Sequence, residues 1–297
     1  DLDGNRSRTN DAAALTSHDG LHRYMFYARA GSNVNIFESS ISFCGASQSA
    51  LGFTIQTSTA SVRNTSFTSC YAGLNVVSSS PVVENCSFQS VYYGISLYDS
   101  NVQIRDCAVS SPSYWGLRTL YSTPQISGFR ITGGAGGVYL TNSNPDITGL
   151  SVSGIYGAAL YCWGSSPVVY DSELSGSTDV YADWDSLPGL VNTTFSTAKT
   201  IVGNGLYVSV GRYADIVVLN ATGLPIRDAK VSVLDSAGLV SWSGYTAIGG
   251  KARAVERTSL VTSEGVLDRS GGVVYAYVDC GNWTEAGSSH MDGSASV

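Results

Sequence analysis

Hydrolysis of a glycosidic bond needs two carboxylates about 5–10 Å apart, one acting as acid and the other as base or nucleophile. The densest acidic stretch here is STDVYADWDS, with Asp179, Asp183 and Asp185. It interrupts a regular pattern and reads as a solvated loop rather than a catalytic or calcium site. Metal chemistry has less support. The histidines are His18, His22 and His290, and the i, i+4 pair His18 and His22 lacks a third ligand nearby. DLDGN at residues 1–5 carries half of a calcium-loop pattern. Calcium is thus the one cofactor the sequence hints at, and none is expected.

Six cysteines, Cys44, Cys70, Cys86, Cys107, Cys162 and Cys280, include no Cys-x-x-Cys pair, which argues against zinc. Six Asn-x-Ser/Thr sequons, at Asn5, Asn64, Asn85, Asn192, Asn220 and Asn282, are a mild excess for a chain with this much Ser and Thr. Asn220 and Asn282 are the better glycan acceptors, because glycans on Asn64 and Asn85 would crowd one another. Tyrosine and tryptophan are the remaining reactive surface. Tyr71, Tyr92 and Tyr156 share one place in a repeat, and Tyr98, Tyr121 and Trp163 share a region just after its third strand. Exposed, such rings would stack on sugars or on a neighbouring subunit. Covered, they are packing, and packing or protein contact is the plainer reading.

These side chains are held by a chain of 297 residues with 68 Ser and Thr, 33 Gly, three Lys and 13% charged residues. An average soluble domain has about 25% charged residues. The net charge of −7 and a pI near 4.8 leave no footprint for nucleic acid. No apolar run reaches the roughly 18 residues of a membrane helix. No leader is visible at Asp1, so a mature form or a fragment is expected. Ser, Thr, Asn and Gly in place of Lys and Glu suit β-structure in an extracellular setting.

The positioning elements emerge on alignment. Ile41, Phe67, Phe88, Val109, Ile131, Val152, Leu174 and Phe195 recur every 21–26 residues. Five places before each lies a second apolar residue, from Ile36 to Leu190. Three places before each lies Glu38, Asn64, Asn85, Asp106, Gly128, Gly149, Asp171 or Asn192, as a left-handed bend would select. Gly52, Gly73, Gly94, Gly116 and Gly137, with Gly157 one place early, precede a third apolar alternation. Three short strands per period, with no helix-length segment, predict a stacked solenoid whose strands pair from turn to turn at about 4.8 Å. On that scaffold Cys86 and Cys107 share one inward column, as disulfide candidates or as two stacked thiols. Cys44 and Cys70 form a weaker pair. Arg63, Glu84 and Arg105 form an outward column, read as a surface charge ladder before a grip for a sugar acid.

Residues 33–200 resemble the right-handed parallel β-helix repeat family, shared by polysaccharide lyases, tailspikes, periplasmic copper-binding proteins and archaeal and bacterial surface proteins. Residues 205–297 resemble carboxypeptidase-regulatory-like or bacterial immunoglobulin-like modules. That likeness rests on ADIVVLNATGLPIRDAKVSVLDSAG and TAIGGKARA, with Gly223, Pro225, Ala229, Val231, Thr246 and Gly250, and on late strands VVYAYV and SASV. The order of the two resembles archaeal cell-surface proteins. The expectation is an all-β chain: a cap or linker over 1–20, a right-handed parallel β-helix of about eight rungs over 21–204, and an immunoglobulin-like β-sandwich over 205–297. The leading functional reading is a non-catalytic, secreted structural glycoprotein of the cell surface (a surface layer, sheath, filament or adhesin). Its partners would be copies of itself or other surface modules. The alternative is a polysaccharide-binding protein, or a lyase or hydrolase of acidic glycans. Neither involves nucleic acid or a transmembrane segment.

Overall fold

This computed structural model describes residues 14–17, 22–57, 60–279 and 284–290. Among the described residues the chain is all-β apart from one 3-10 turn at Thr197–Lys199, and it builds a right-handed parallel β-helix of about eight turns. Each turn has three strands; Val82–Glu84, Ser87–Gln89 and Tyr93–Tyr98 make one, and Gln103–Arg105, Ala108–Ser110 and Trp115–Leu120 the next. All pair in parallel with the same strand of the neighbouring turn. The aligned apolar positions are the register. Val83 pairs with Ile104, Phe88 with Val109, and Ile95 with Leu117. All six side chains are buried. Inside the coil Phe26 stacks on Phe53 and Phe67 on Phe88, the latter pair with centroids 4.9 Å apart, and Phe53 meets Phe67 edge to face.

Sharp bends let three short strands close a turn. Every member of the Glu/Asn/Asp/Gly column has positive φ, from 46° at Glu38 to 67° at Gly149. Two further columns do the same. One follows the second strand at Phe43, Ser69, Ser90, Ser111, Gly133 and Gly154; the other follows the third at Ser78, Asp99, Tyr121, Asn142 and Gly164. The left-handed region costs a non-glycine residue about 1–2 kcal/mol. Ladder hydrogen bonds hold the serines there, with Ser69 N–H donating to Gln89 O and Ser90 N–H to Ser110 O.

The glycine column has a steric cause. A Cβ on Gly94 would lie 2.7 Å from Val109 Cγ2, and one on Gly116 would lie 2.7 Å from Ile131 Cδ1. The coil is too narrow there for both side chains. Gly157 is not a member of this column: Val138 pairs with Leu160, which puts Ala159 opposite Gly137. Register shifts within Ser151–Trp163 carry the extra residues.

Two compact units divide the chain: residues 1–188 with 193–206, and residues 189–192 with 207–297. In the second, Leu190 pairs in parallel with Val210, and everything else pairs antiparallel. Val208–Val217 pairs with Lys251–Thr262, which turns back into Gly265–Asp268. A four-stranded sheet runs in the order Val240–Tyr245, Lys230–Leu234, Val273–Asp279, Thr284–His290. Ile216 and Ala254 from the first sheet and Val231, Val233, Val274 and Ala276 from the second share one core. Buried Thr246 ties a turn to it, donating from Oγ1 to Ile226 O and accepting from Ala229 N–H.

Candidate functional site

The outward face of the third strands carries a ladder of aromatic rings. Tyr71 stacks on Tyr92 at 4.6 Å between centroids, and Tyr92 on Tyr114 at 5.2 Å. Tyr114 meets Trp115 at 61°, and Trp115 meets Tyr139 at 5.1 Å and 32°. The series continues through Tyr161 to Tyr181, whose rings are 4.5 Å apart and nearly coplanar in orientation. In-register pairing causes this. Parallel strands place equivalent side chains about 4.8 Å apart, which is the thickness of a stacked ring pair.

A face-to-face stack covers ring faces and leaves only edges and hydroxyls to solvent. The ladder changes column at Tyr114 and Trp115: Tyr114 still stacks on Tyr92 by one face, whereas Trp115 is tilted from both Tyr114 and Tyr139 and has no parallel neighbour. Tyr114 is 44% exposed and Trp115 half-buried. Arg118 stands in the same region, in the outward column of Tyr139 and Tyr161, with its guanidinium 5.2 Å from the Tyr93 ring centroid. Tyr93 itself is buried. Burial raises its hydroxyl pKa above the ordinary tyrosine value against the opposing pull of Arg118. Tyr161 is raised as well, first by burial and then by Tyr181, Tyr139 and Asp183. Both phenols are therefore neutral hydrogen-bond donors at physiological pH.

The structure brings together some of the aromatic residues that the sequence grouped and separates others. Tyr71 and Tyr92 stack as their shared column requires. Tyr156 is 82% exposed and makes no ring contact among the described residues, because the intervening turn carries Gly134 and Ala135. Tyr98 and Tyr121 meet edge to face at 6.0 Å. Trp163 is apart from them and stacks on Trp184 at 5.5 Å. Leu120 and Thr141 occupy the two turns between Tyr98 and Trp163 in that column. Tyr114, Trp115, Tyr139, Tyr161 and Tyr181 were missed. The alternation of the third strand was enough to place 139, 161 and 181 on one outer column.

Cys86 and Cys107 lie in adjacent turns as free, buried thiols, and Cys86 N–H donates to Cys107 Sγ at 3.4 Å. The side-chain hydrogen bond with the Cys86 thiol, together with burial, pushes the Cys107 thiol far above the ordinary range against the lowering pull of the Cys86 N–H, while the same thiol contact lowers Cys86. Cys44 and Cys70 are likewise free and buried. Arg63 Nε pairs with Glu84 at 3.3 Å on the surface, whereas Arg105 donates to Gln103 instead. The expected solvated loop at Asp179 and Asp183 is instead part of the strand Glu173–Asp183, in which Asp179 is buried because its carboxylate accepts from the N–H groups of Gly176 and Ser196. Among the described residues no three His, Cys, Asp or Glu side chains converge as a metal site. Asn85 Nδ2 donates to Asn64 Oδ1 at 2.8 Å, so those two sequons form an asparagine ladder. Asn192 N–H donates to Gly211 O in a left-handed bend. Asn220 Oδ1 accepts from Thr222 N–H, Thr222 Oγ1 and Leu224 N–H in an exposed turn. Asn5, Asn282, His18, Cys280, DLDGN and SASV lie outside the described residues.

No helix among the described residues is long and apolar enough to cross a membrane. No curated protein matches the chain. Among solved structures it is similar to PfbA, a surface adhesin of Streptococcus pneumoniae, at 9% identity over 81% of each chain with a TM-score of 0.31. It is similar to a tailspike protein double mutant of E. coli bacteriophage HK620 at 10% identity, over 88% of this chain and 70% of that one, with a TM-score of 0.32. The tailspike protein gp49 of Acinetobacter baumannii bacteriophage Fri1, a capsular polysaccharide depolymerase, is 9% identical over 89% and 64%, with a TM-score of 0.25. The family described as the right handed beta helix region matches residues 16–127 and 78–223. With the in-register turns and left-handed bends that those residues form, the chain belongs to the right-handed β-helix family.

Proposed function

We propose that this protein is an extracellular polysaccharide-binding β-helix, and that the aromatic ladder is its binding face. The observation that carries this is the continuous run of rings from Tyr71 to Tyr181 on one outer face, with tilted, partly exposed rings at Tyr114 and Trp115. A solenoid repeats its surface at a fixed step, and a polysaccharide is a ligand that repeats along a line. Rings supply apolar faces for pyranose C–H groups, and neutral phenols supply donors for hydroxyls. Composition alone favours a self-associating structural role; the ladder moves the reading to a sugar-binding one. The second unit serves in this reading as an immunoglobulin-like spacer.

Binding without cleavage is proposed, since the face presents rings and a guanidinium rather than a facing carboxylate pair. The test is titration calorimetry against a panel of purified polysaccharides. Trp115→Ala is expected to weaken binding at least fivefold, about 1 kcal/mol, as loss of a central aromatic contact does. Saturable binding that Trp115→Ala leaves untouched would remove the ladder from the site. Steady release of reducing or unsaturated ends would make the protein an enzyme.

A further inference from the structure

We propose that the sugar chain bound on the ladder is acidic, and that Arg118 receives one of its carboxylates. This rests on the polysaccharide reading and adds the charge class of the ligand. Arg118 projects from Trp115–Leu120, the strand that begins with the tilted Trp115 and follows exposed Tyr114, and lies half-buried over the Tyr93 ring. Arg63, Arg212, Arg227, Arg253 and Arg257 each have a carboxylate partner. No described carboxylate pairs with Arg118, a trait it shares with Arg105, Arg130 and Arg269; what sets Arg118 apart is its place over a ring in the aromatic ladder. Its cation is held by the ring face beneath it, and the planar fork of N–H donors remains for a bidentate acceptor. Half-burial beside aromatic walls lowers the local dielectric and strengthens such a pair relative to one in open water.

A second cation stands at the start of the same face. Arg23 Nη1 donates to Gly45 O at 3.1 Å and Ser69 O at 2.7 Å, which fixes the guanidinium beside Tyr71. Arg23 lines a depression of about 320 Å³ with Ser69, Tyr71, Ser90, Tyr92 and Ser113. Cation, hydroxyls and ring edges are the set that a uronate or another carboxylated sugar would engage. The whole chain carries a net charge of −7, so bulk attraction does not draw in a polyanion. An acidic chain must be held by local guanidinium groups, and these two lie along the Tyr71–Tyr92–Tyr114 stack.

The probes are polygalacturonate, hyaluronate and alginate, each against its carboxyl-reduced form, in which the carboxylates have become primary alcohols. The wild-type protein is expected to bind at least one parent polymer ten or more times more tightly than its reduced form. Arg118→Gln should erase that difference by weakening the parent alone, and Arg118→Lys should restore part of it. Equal binding of a parent and its reduced form would overturn the inference, as would a preference that survives Arg118→Gln. If neutral polymers bind and Trp115→Ala abolishes the binding, the polysaccharide reading stands and the acidic assignment falls. If no polymer binds, both fall. Comparison of parent and reduced polymers on the wild-type protein keeps the question open to refutation even where Arg118→Gln folds poorly.

Discussion

Gly94 shows how little room a single residue has in this coil. A Cβ there would meet Gly116 O at 2.3 Å as well as the Val109 side chain, and neither can retreat without breaking the ladder. Gly94→Ala is therefore expected to destabilise the protein by about 1–3 kcal/mol, as an overpacked core position does, read as a lowered urea midpoint. Gly31→Ala tests the other glycine role. Its φ of 85° with open space around it predicts a smaller, purely backbone penalty. The buried cysteines respond to surroundings in another way. Cys107 donates to Arg105 O and accepts from Cys86 N–H, the bonds a serine hydroxyl makes in the equivalent bend. Both thiols are buried inside the coil, where a soluble oxidant does not reach them. Peptide mapping after alkylation in denaturant should recover Cys86 and Cys107 as thiols; a linked peptide pair would show that the column closes as a disulfide instead.

At the scale of the element, hydrogen-bonded columns do what residue preferences alone cannot. After the third strand Ser100, Ser122, Ser143, Ser165 and Ser186 form a buried ladder. Ser100 N–H donates to Ser122 Oγ and Ser122 N–H to Ser143 Oγ, each at 3.0 Å, while each hydroxyl donates to a carbonyl two residues back. Ser122→Ala leaves the buried Ser100 N–H without a partner, which costs about 1–3 kcal/mol. Ser122→Cys should recover part of that, since thiols already fill such places at Cys86 and Cys107. Urea unfolding of the two variants measures the difference. This ladder explains what was legible in the sequence and what was not. The column from Glu38 to Asn192 could be read because Asn, Asp and Gly announce a left-handed bend by type. The bends at Ser69, Ser90 and Ser111, and the buried Ser100–Ser186 series, could not. Serine occurs throughout the chain, and only the neighbouring turn determines whether a hydroxyl is structural. The aromatic face was half-legible for a related reason. Spacing assigns a column to Tyr71 and Tyr92, but the shift onto Trp115 depends on ring tilt, which spacing does not encode.

The second unit has its own electrostatic fastening. Asp235 is buried and accepts from Leu239 N–H and Ala237 N–H, while Arg257 Nη1 donates to its other oxygen at 2.8 Å. Burial alone would raise its pKa, but these bonds and the guanidinium prevail and hold it below the ordinary value. A depressed folded-state pKa stabilises above the unfolded aspartate value of about 3.9 and is lost as pH falls through the folded value. Asp235→Ala should thus cost about 3 kcal/mol at pH 7, the scale of a broken buried pair, and progressively less below pH 4. Melting curves of the two proteins between pH 2.5 and 7 should converge at the acid end. A constant gap would assign the effect to lost packing.

The solenoid as a whole is a sum of turns, each touching only its neighbours, so its stability should be divisible by turns and by nothing smaller. Residues 125–145 make one complete turn, with strands Gln125–Ser127, Arg130–Thr132 and Gly136–Thr141. Gln125 pairs with Asp146, so excising this stretch joins Pro124 to Asp146 and reproduces the Pro145–Asp146 step of the native chain. The register then closes with Ile104 in the turn before Ile147, and every left-handed bend keeps its neighbour. The deleted protein is expected to fold with an unchanged strand spectrum and cooperative melting, and with somewhat lower stability because one interface between turns is gone. It also keeps Tyr114, Trp115 and Arg118, so sugar binding should persist, weakened by the loss of Tyr139. Removing only residues 125–135 is the opposing case. That cut takes the first two strands of the turn and leaves the third, which would place polar outward residues at core positions from that point on. Circular dichroism and proteolysis of the two deletions decide the matter. If both fold equally well, or the whole-turn deletion fails where the half-turn one survives, then turns are not the independent unit of this molecule.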